Sequence, residues 1–208
     1  CLWDGALAID LRYGLGDARL LGDGLLTAGG GAALSTIAHV AEAGGRMCCL
    51  GTAPTVGLGL LLQGGVGHLA RWRGLAVDTL ERVTCVTADG RERTASRECD
   101  PELFWAICGA GPNFAVVTQV VLRTFPLAPA WRSELTWIGD DSRGDARAES
   151  ALSQYAAVAA ACKDVETMDA MLHWADAPAG WRLCLAASLF EWGAETGGAL
   201  LSTLRSAM

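Results

Sequence analysis

The sequence predicts an α+β fold, partly antiparallel, divided into two parts near residue 127. Three observations lead there. Short apolar or β-branched runs alternate with segments of helical spacing, and several neighbouring runs are joined by the Gly/Asp turns of β-hairpins. One stretch, residues 51–78, concentrates glycines: Gly51, Gly57, Gly59, Gly64, Gly65, Gly67 and Gly74. Finally, Phe125-Pro126-Leu127-Ala128-Pro129-Ala130 sets two prolines in a short apolar link, which stops helix and strand alike.

Taken in order, Ala6–Leu11 reads as a short strand ending near a carboxylate. Asp17–Gly29 reads as a hairpin turning at Gly22-Asp23-Gly24, where φ > 0 is tolerated. Ala32–Ala43 carries Leu34, Ile37, Ala38 and Ala41 at helical spacing, closed by Gly44-Gly45. His39 on this helix suits a surface or boundary place better than a catalytic one. Arg46–Leu50 is a strand feeding the glycine-rich stretch. Within that stretch Leu58 and Leu60–Leu62 form a short apolar segment stopped by Gly64-Gly65, and His68–Arg73 a further helical turn ended by Gly74. Leu80–Ala88 alternates as a strand, and Ala88-Asp89-Gly90 turns it into a second arm, Arg91–Ala95. Asp100-Pro101-Glu102 is a helix start, with Asp as N-cap, Pro at the first position and Glu in the first turn. That helix carries Leu103, Phe104 and Ile107 inward and ends at Gly109; Phe104 and Trp105 read as core rather than as rings stacked on a cofactor. Gly109–Asn113 is a second loop of exposed backbone, and Phe114–Thr124 a long β-branched strand. Past the break come a strand (Trp131–Ile138), a polar loop, an Ala-rich helix (Asp145–Cys162), a hairpin (Thr167–Ala175 and Trp181–Phe190, turning at Ala177–Gly180) and a last helix (Ala194–Ala207).

Composition narrows the function classes. With 51% hydrophobic and 19% charged residues the 208-residue chain is globular. A net charge of -7 argues against a nucleic-acid or anionic-membrane partner. No apolar run approaches the ~20 residues of a membrane span. The chain opens on Cys1 rather than Met and carries no basic and apolar leader pattern there, so it reads as an excised piece whose compartment and oligomeric state stay open. Eight cysteines include no Cys-x-x-Cys pair, and three distant histidines give no zinc spacing, so buried reduced thiols are favoured over a disulfide framework. Asn113 is the only asparagine and no glycosylation sequon exists. His39, His68 and His173 are far apart in sequence, and neither a Gly-x-Ser-x-Gly elbow nor a paired-carboxylate spacing is present. If catalysis occurs, a bound cofactor must carry it.

Repeated glycine at 51–78 costs ~0.5–1 kcal/mol per residue in regular structure, which a chain accepts where bare backbone must meet something. Glycine content alone leaves two readings, a packed corner and a cradle for phosphates or a flat ring. The order of the residues is more specific. Pro54-Thr55-Val56-Gly57-Leu58-Gly59, then Gly64-Gly65-Val66-Gly67, Arg71, and Gly74-Leu75-Ala76-Val77-Asp78 resemble the FAD-binding oxidoreductases of the vanillyl-alcohol oxidase and berberine-bridge-enzyme type. The hairpin Val86–Ser96, the run Asp100–Phe114 and Ala115-Val116-Val117-Thr118 follow in family order, so the resemblance covers about residues 1–127 and weakens beyond.

The resemblance implies that residues 1–127 are the second subdomain of a PCMH-type FAD-binding domain. Residues 128–208 would be the truncated start of an antiparallel-sheet substrate domain. It implies FAD contacts from Gly51, Pro54, Thr55, Val56, Gly57, Gly59, Gly64, Gly65, Gly67, His68 and Asp78, with Gly111, Asn113, Val116 and Val117 closing over the nucleotide. The family reaction is hydride transfer from a small organic substrate, an alcohol or sugar-like hydroxyl, to flavin N5, followed usually by reoxidation with dioxygen. Three departures stand out. Ala53 occupies the position where some members have a flavin-linked cysteine, so a 6-S-cysteinyl bond cannot form there. The first flavin subdomain would precede Cys1, and the catalytic base would lie beyond Met208. The usual Gly-Gly after the Pro-Thr-Val-Gly run is Gly59-Leu60, and Gln63 replaces a frequent third glycine. The competing expectation is a non-catalytic remnant of this fold kept as a binding or interaction module, with Trp131, Trp137, Trp174, Trp181 and Trp192 as potential apolar surface.

Overall fold

The computed structural model describes residues 4–139, 146–161, 166–174, 181–190 and 202. The chain divides into two compact units, Cys1–Leu127 and Ala128–Met208.

Unit 1 is built on a five-stranded sheet of β1 (Ala18–Leu20), β2 (Leu25–Gly29), β4 (Leu80–Thr87), β5 (Glu92–Ser96) and β6 (Ala115–Arg123) in the order β1-β2-β6-β4-β5, antiparallel throughout. The β1–β2 turn places Asp23 at φ 60° and Gly24 at φ 75°, the pair of left-handed residues that a two-residue hairpin turn needs. Alternation then sends every second side chain to one face. Leu26, Leu122 and Leu80 form one row across the sheet, and Ala28, Val120, Val83 and Ala95 the next. Three helices cover this face: α1 (Leu34–Ala43) buries Leu34, Ile37 and Ala41, α2 (Leu58–Leu61) buries Leu58 and Leu61, and α4 (Pro101–Ala110) buries Phe104 and Ile107. Asp100 caps α4 by accepting from the Leu103 N–H at 3.4 Å, and Gly109 at φ 110° breaks the helix. A short α3 (Ala70–Arg73) ends at Gly74, φ 86°.

Unit 2 holds a three-stranded antiparallel sheet, β8 (Ala130–Gly139), β10 (Trp181–Phe190) and β9 (Glu166–Trp174) in the order β8-β10-β9, and α5 (Ala146–Ala161). The polar loop, the Ala177–Gly180 turn and the final helix expected from sequence lie outside the described residues.

Four expectations need correction. Ala6–Leu11 is no strand: its alternation finds no partner among the described residues, and Leu7 is 85% and Ile9 62% exposed. Arg12 folds back on Asp10 instead, its backbone N–H donating at 3.0 Å and its guanidinium at 2.6–3.1 Å, a local bond that turns the chain rather than extending it. The same contact holds the exposed Asp10 carboxyl down at about 2. The strand expected over Arg46–Leu50 is only β3 (Arg46–Met47), because its partner β7 (Phe125–Pro126) is two residues long. Trp105 is not core but 80% exposed: Phe104 and Ile107 fix the inward face of α4, and the next residue round the helix points away. The third α-helical turn starts at Ala70 rather than His68.

Three consecutive glycines close the end of β2 against other backbone. In Ala28-Gly29-Gly30-Gly31-Ala32 each glycine meets backbone at close range. A Cβ at Gly29 would run into the Leu15 carbonyl, at Gly30 into the Val117 carbonyl, and at Gly31 into Leu11. The segment 11–17 is therefore laid directly on the end of β2, bonded through Gly31 N–H to Leu15 O and Gly29 N–H to Asp17 O, both 2.9 Å.

Thiol reactivity follows from burial. Among the described residues the cysteines are free; Cys48, Cys49 and Cys85 are buried and Cys99 is exposed. Burial pushes the Cys48 thiol up to about 12 and that of Cys49 to about 11. At pH 8 iodoacetamide is expected to label Cys99 and leave Cys48 and Cys49 unmodified in the folded protein, read by peptide mass spectrometry. Equal labelling at Cys48 and Cys99 would contradict the burial described here.

Candidate cofactor site

The glycine-rich stretch is fixed to unit 1 by its own backbone. Ala33, the N-cap of α1, offers no side-chain oxygen, so the first N–H groups of the helix find loop carbonyls: Leu34 N–H donates to Val56 O at 2.8 Å and Ser35 N–H to Pro54 O at 3.0 Å. An isolated antiparallel bridge joins Ala33 to Gly57. Pro54–Gly57 thus lies across the start of α1 and occupies the donors that could otherwise have met an anion. The chain then turns into α2. Beyond it the Gly64 and Gly65 carbonyls accept from Val77 N–H (2.9 Å) and Ala76 N–H (3.0 Å), and the Asp78 carboxylate accepts from Leu75 N–H at 2.8 Å. These bonds close the stretch back onto the 3-10 turn Ala76–Thr79 that enters β4.

The second glycine segment meets the first at Leu62. Gly109 N–H donates to Leu62 O at 2.9 Å, and a Cβ at Gly111 would press on the Leu62 and Ile107 side chains at 3.2 and 3.4 Å. The fold therefore brings together the segments 51–67 and 109–113. Pro54, Thr55, Asn113 and Asp78 are exposed, Val56, His68 and Gly67 half-buried, and the neighbours Val116 (41% exposed) and Val117 (7%) face opposite sides of β6. Ala53 is exposed and carries no thiol.

The glycines divide into two groups by what a side chain would meet. Gly65 (φ 73°) would push a Cβ to 2.6 Å from the Ala76 Cβ, Gly67 would drive one into the Leu50 carbonyl, Gly51 would crowd Leu60 at 3.0 Å, and Gly111 is buried. Those are required by packing inside the chain. Gly57 and Gly59 are different. Neither has positive φ, both are exposed, the nearest atom to a Cβ at Gly57 is Ala32 O at 3.7 Å, and at Gly59 nothing lies within 4 Å. Unit 1 itself has no use for glycine at either position. They present bare backbone outward, next to exposed Leu60. Such a surface fits a flat ligand laid against the main chain, as the flavin of the sequence resemblance would be. Among the described residues no cluster of His, Cys, Asp or Glu could hold a metal ion, and no helix is long and apolar enough to cross a membrane.

Leu62, the residue that joins the two glycine segments, was not singled out from sequence. Its contact is made by a backbone carbonyl, which leaves no trace in residue type.

No protein-family profile matches the chain. Individual proteins do. The chain is 39% identical over 125 residues to (R)-6-hydroxynicotine oxidase of Paenarthrobacter nicotinovorans, covering 60% of this chain and 27% of that protein. It is 47% identical over 83 residues to the carbohydrate oxidase of Microdochium nivale, covering 39% and 17%. Among solved structures, 6-hydroxy-D-nicotine oxidase from Arthrobacter nicotinovorans superposes with a TM-score of 0.73 at 29% identity, over 88% of this chain and 39% of that one. A chitooligosaccharide oxidase gives 0.74 at 28% identity, over 96% and 40%. The chain thus spans about a quarter of the first curated relative and two fifths of these solved chains. It is a partial-length homologue of the FAD-linked oxidases of the vanillyl-alcohol oxidase (PCMH-type) and berberine-bridge-enzyme-like families.

Proposed function

We propose that unit 1 is the second subdomain of an FAD-binding domain and forms one wall of the flavin site in a longer FAD-dependent oxidoreductase. The observation that carries this reading is the pair Gly57 and Gly59, glycines that the chain's own packing does not need, set in a segment similar to FAD-linked oxidases. In it, the backbone of Gly51 and of Pro54–Gly59 lies along the cofactor, with the side chains of Thr55 and Val56 at its border. Gly64, Gly65, Gly67 and His68 form the turn behind it, and Asp78 caps Leu75 at the start of the 3-10 turn whose Ala76 and Val77 N–H groups bond Gly65 and Gly64. Gly111, Asn113, Val116 and Val117 close the nucleotide side. Residues 128–208 begin the substrate domain. A flavin held against this wall would supply an acceptor for the hydride of a substrate carbon bearing an alcohol or sugar-like hydroxyl, with dioxygen as the final electron acceptor. The substrate reading leans on what the relatives are named for, a hydroxynicotine and carbohydrates. The contribution of this chain is to present main chain to the flavin without side-chain obstruction and to keep water from that face.

Two measurements test the reading. Residues 1–208 alone should bind FAD with a dissociation constant weaker than ~1 µM, because one wall of contacts is a fraction of a site. Fluorescence titration showing tighter binding would mean that the site is complete within this chain and that the placement as one wall is wrong. In the full-length protein, tryptic peptide mass spectrometry should find no flavin on the peptide containing Ala53; a flavin mass there would refute the reading of this position.

A further inference from the structure

The chain leaves unit 1 through a short segment that is held unusually well for a linker. Thr124 N–H donates to Gly24 O at 2.7 Å, and the Thr124 hydroxyl donates to the same carbonyl at 2.7 Å. Phe125 and Pro126 pair with Met47 and Arg46 as β7 on β3, and Leu127 N–H donates to Gly45 O at 2.9 Å. The Arg46 side chain closes over this arrangement: Nε donates to Thr124 Oγ1 at 2.9 Å and Nη2 to the Thr124 carbonyl at 2.8 Å. Gly24 makes room for the guanidinium, since a Cβ there would stand 2.8 Å from Arg46 Nη2. Arg73 lies over the Phe125 ring, 4.9 Å from its centroid. Thr124 is 3% exposed, so its own hydroxyl and carbonyl are bonded largely out of water's reach.

The strand of unit 2 begins at Ala130 and unit 1 ends at Leu127. With the segment bonded as described, the free chain between the units is Ala128 and Pro129 alone, one of them a proline with fixed φ. With it released, the free chain runs from Thr124 to Pro129. We propose that Arg46 is a latch that sets the length of the free linker between the two units. Two features separate this from ordinary surface packing. The guanidinium bonds the hydroxyl and the carbonyl of the same residue in a planar fork, a geometry that lysine cannot reproduce. Furthermore, Gly24, already committed to the β1–β2 turn by its positive φ, is also the only residue type that leaves space for the fork.

The test is amide hydrogen exchange, followed by mass spectrometry, in the full chain and its variants. In Arg46→Met the amides of Thr124, Phe125 and Leu127 should exchange about tenfold faster or more, the effect of losing charge-assisted bonds at a buried carbonyl and hydroxyl. Exchange in β4, residues 80–87, should stay at the wild-type rate. Arg46→Lys should fall between the two. Should Arg46→Met fail to fold, Thr124→Val removes only the hydroxyl and should still raise exchange at 124–127 several-fold with β4 unchanged. Wild-type exchange at 124–127 in the variant that folds would overturn the latch. Equal acceleration in 124–127 and β4 would overturn it too, because Arg46 would then support the whole unit and no local device.

Discussion

Gly30→Ala is expected to leave unit 1 unfolded or barely folded. The added methyl would run into the Val117 carbonyl oxygen, with the Val117 carbonyl carbon at 2.9 Å and the Thr118 Cα at 3.2 Å, all backbone of the central strand β6. Rotamer changes cannot relieve a clash with main chain. Relief requires separating the end of β2 from β6, which also costs the Gly30 N–H to Thr118 O bond of 2.8 Å and loosens the segment 11–17 seated alongside. Overpacking a fitted interior costs ~1–3 kcal/mol even where side chains can adjust. Against backbone the loss should exceed ~3 kcal/mol, a large share of the ~5–15 kcal/mol that holds a domain together. Urea unfolding followed by circular dichroism reads it directly. A Gly30→Ala midpoint equal to wild type would show that the approach of the two strands is looser than described.

Gly57→Val and Gly59→Leu in the full-length protein should give the opposite signature, fold kept and flavin lost. Gly59→Ala should leave the fold neutral or up to ~1 kcal/mol more stable, since glycine within a helical turn is the costlier residue. A Cβ at either position meets nothing closer than 3.7 Å in unit 1. The larger side chains should cut the flavin content of the purified protein at least ~10-fold, equivalent to ~1.4 kcal/mol of lost binding. Gly65→Val is the control that separates the two groups of glycines. Its side chain would strike Ala76 within unit 1 and its φ of 73° suits glycine, so fold and flavin should fall together. Folded Gly57→Val and Gly59→Leu proteins with full flavin content would remove the exposed backbone from the cofactor site.

The strands and helices of unit 1 were legible where one rule acted alone. The Asp23-Gly24 turn, the Asp100-Pro101 helix start and the β-branched run of β6 each state their conformation in residue type. Legibility failed where a distant partner decided. Ala6–Leu11 alternates like a strand but pairs with none among the described residues, and β3 is cut to two residues because β7 offers no more. Trp105 shows that hydrophobicity does not assign a helix face; the positions of Phe104 and Ile107 do. For the candidate site, the two glycine segments named from sequence meet in the fold through the Leu62 carbonyl. The sequence could not separate glycines kept for packing, such as Gly65 and Gly67, from Gly57 and Gly59, because that difference lies in what surrounds a Cβ that is absent.

The most direct test of the flavin reading is to purify the full-length protein without added cofactor, denature it, and identify what is released by absorbance and mass spectrometry. The expected result is FAD, close to one per chain, either released or held by a covalent bond elsewhere than Ala53. A folded full-length protein that carries no flavin, and takes up none when titrated with FAD, would contradict the proposal that this chain is a wall of an FAD site.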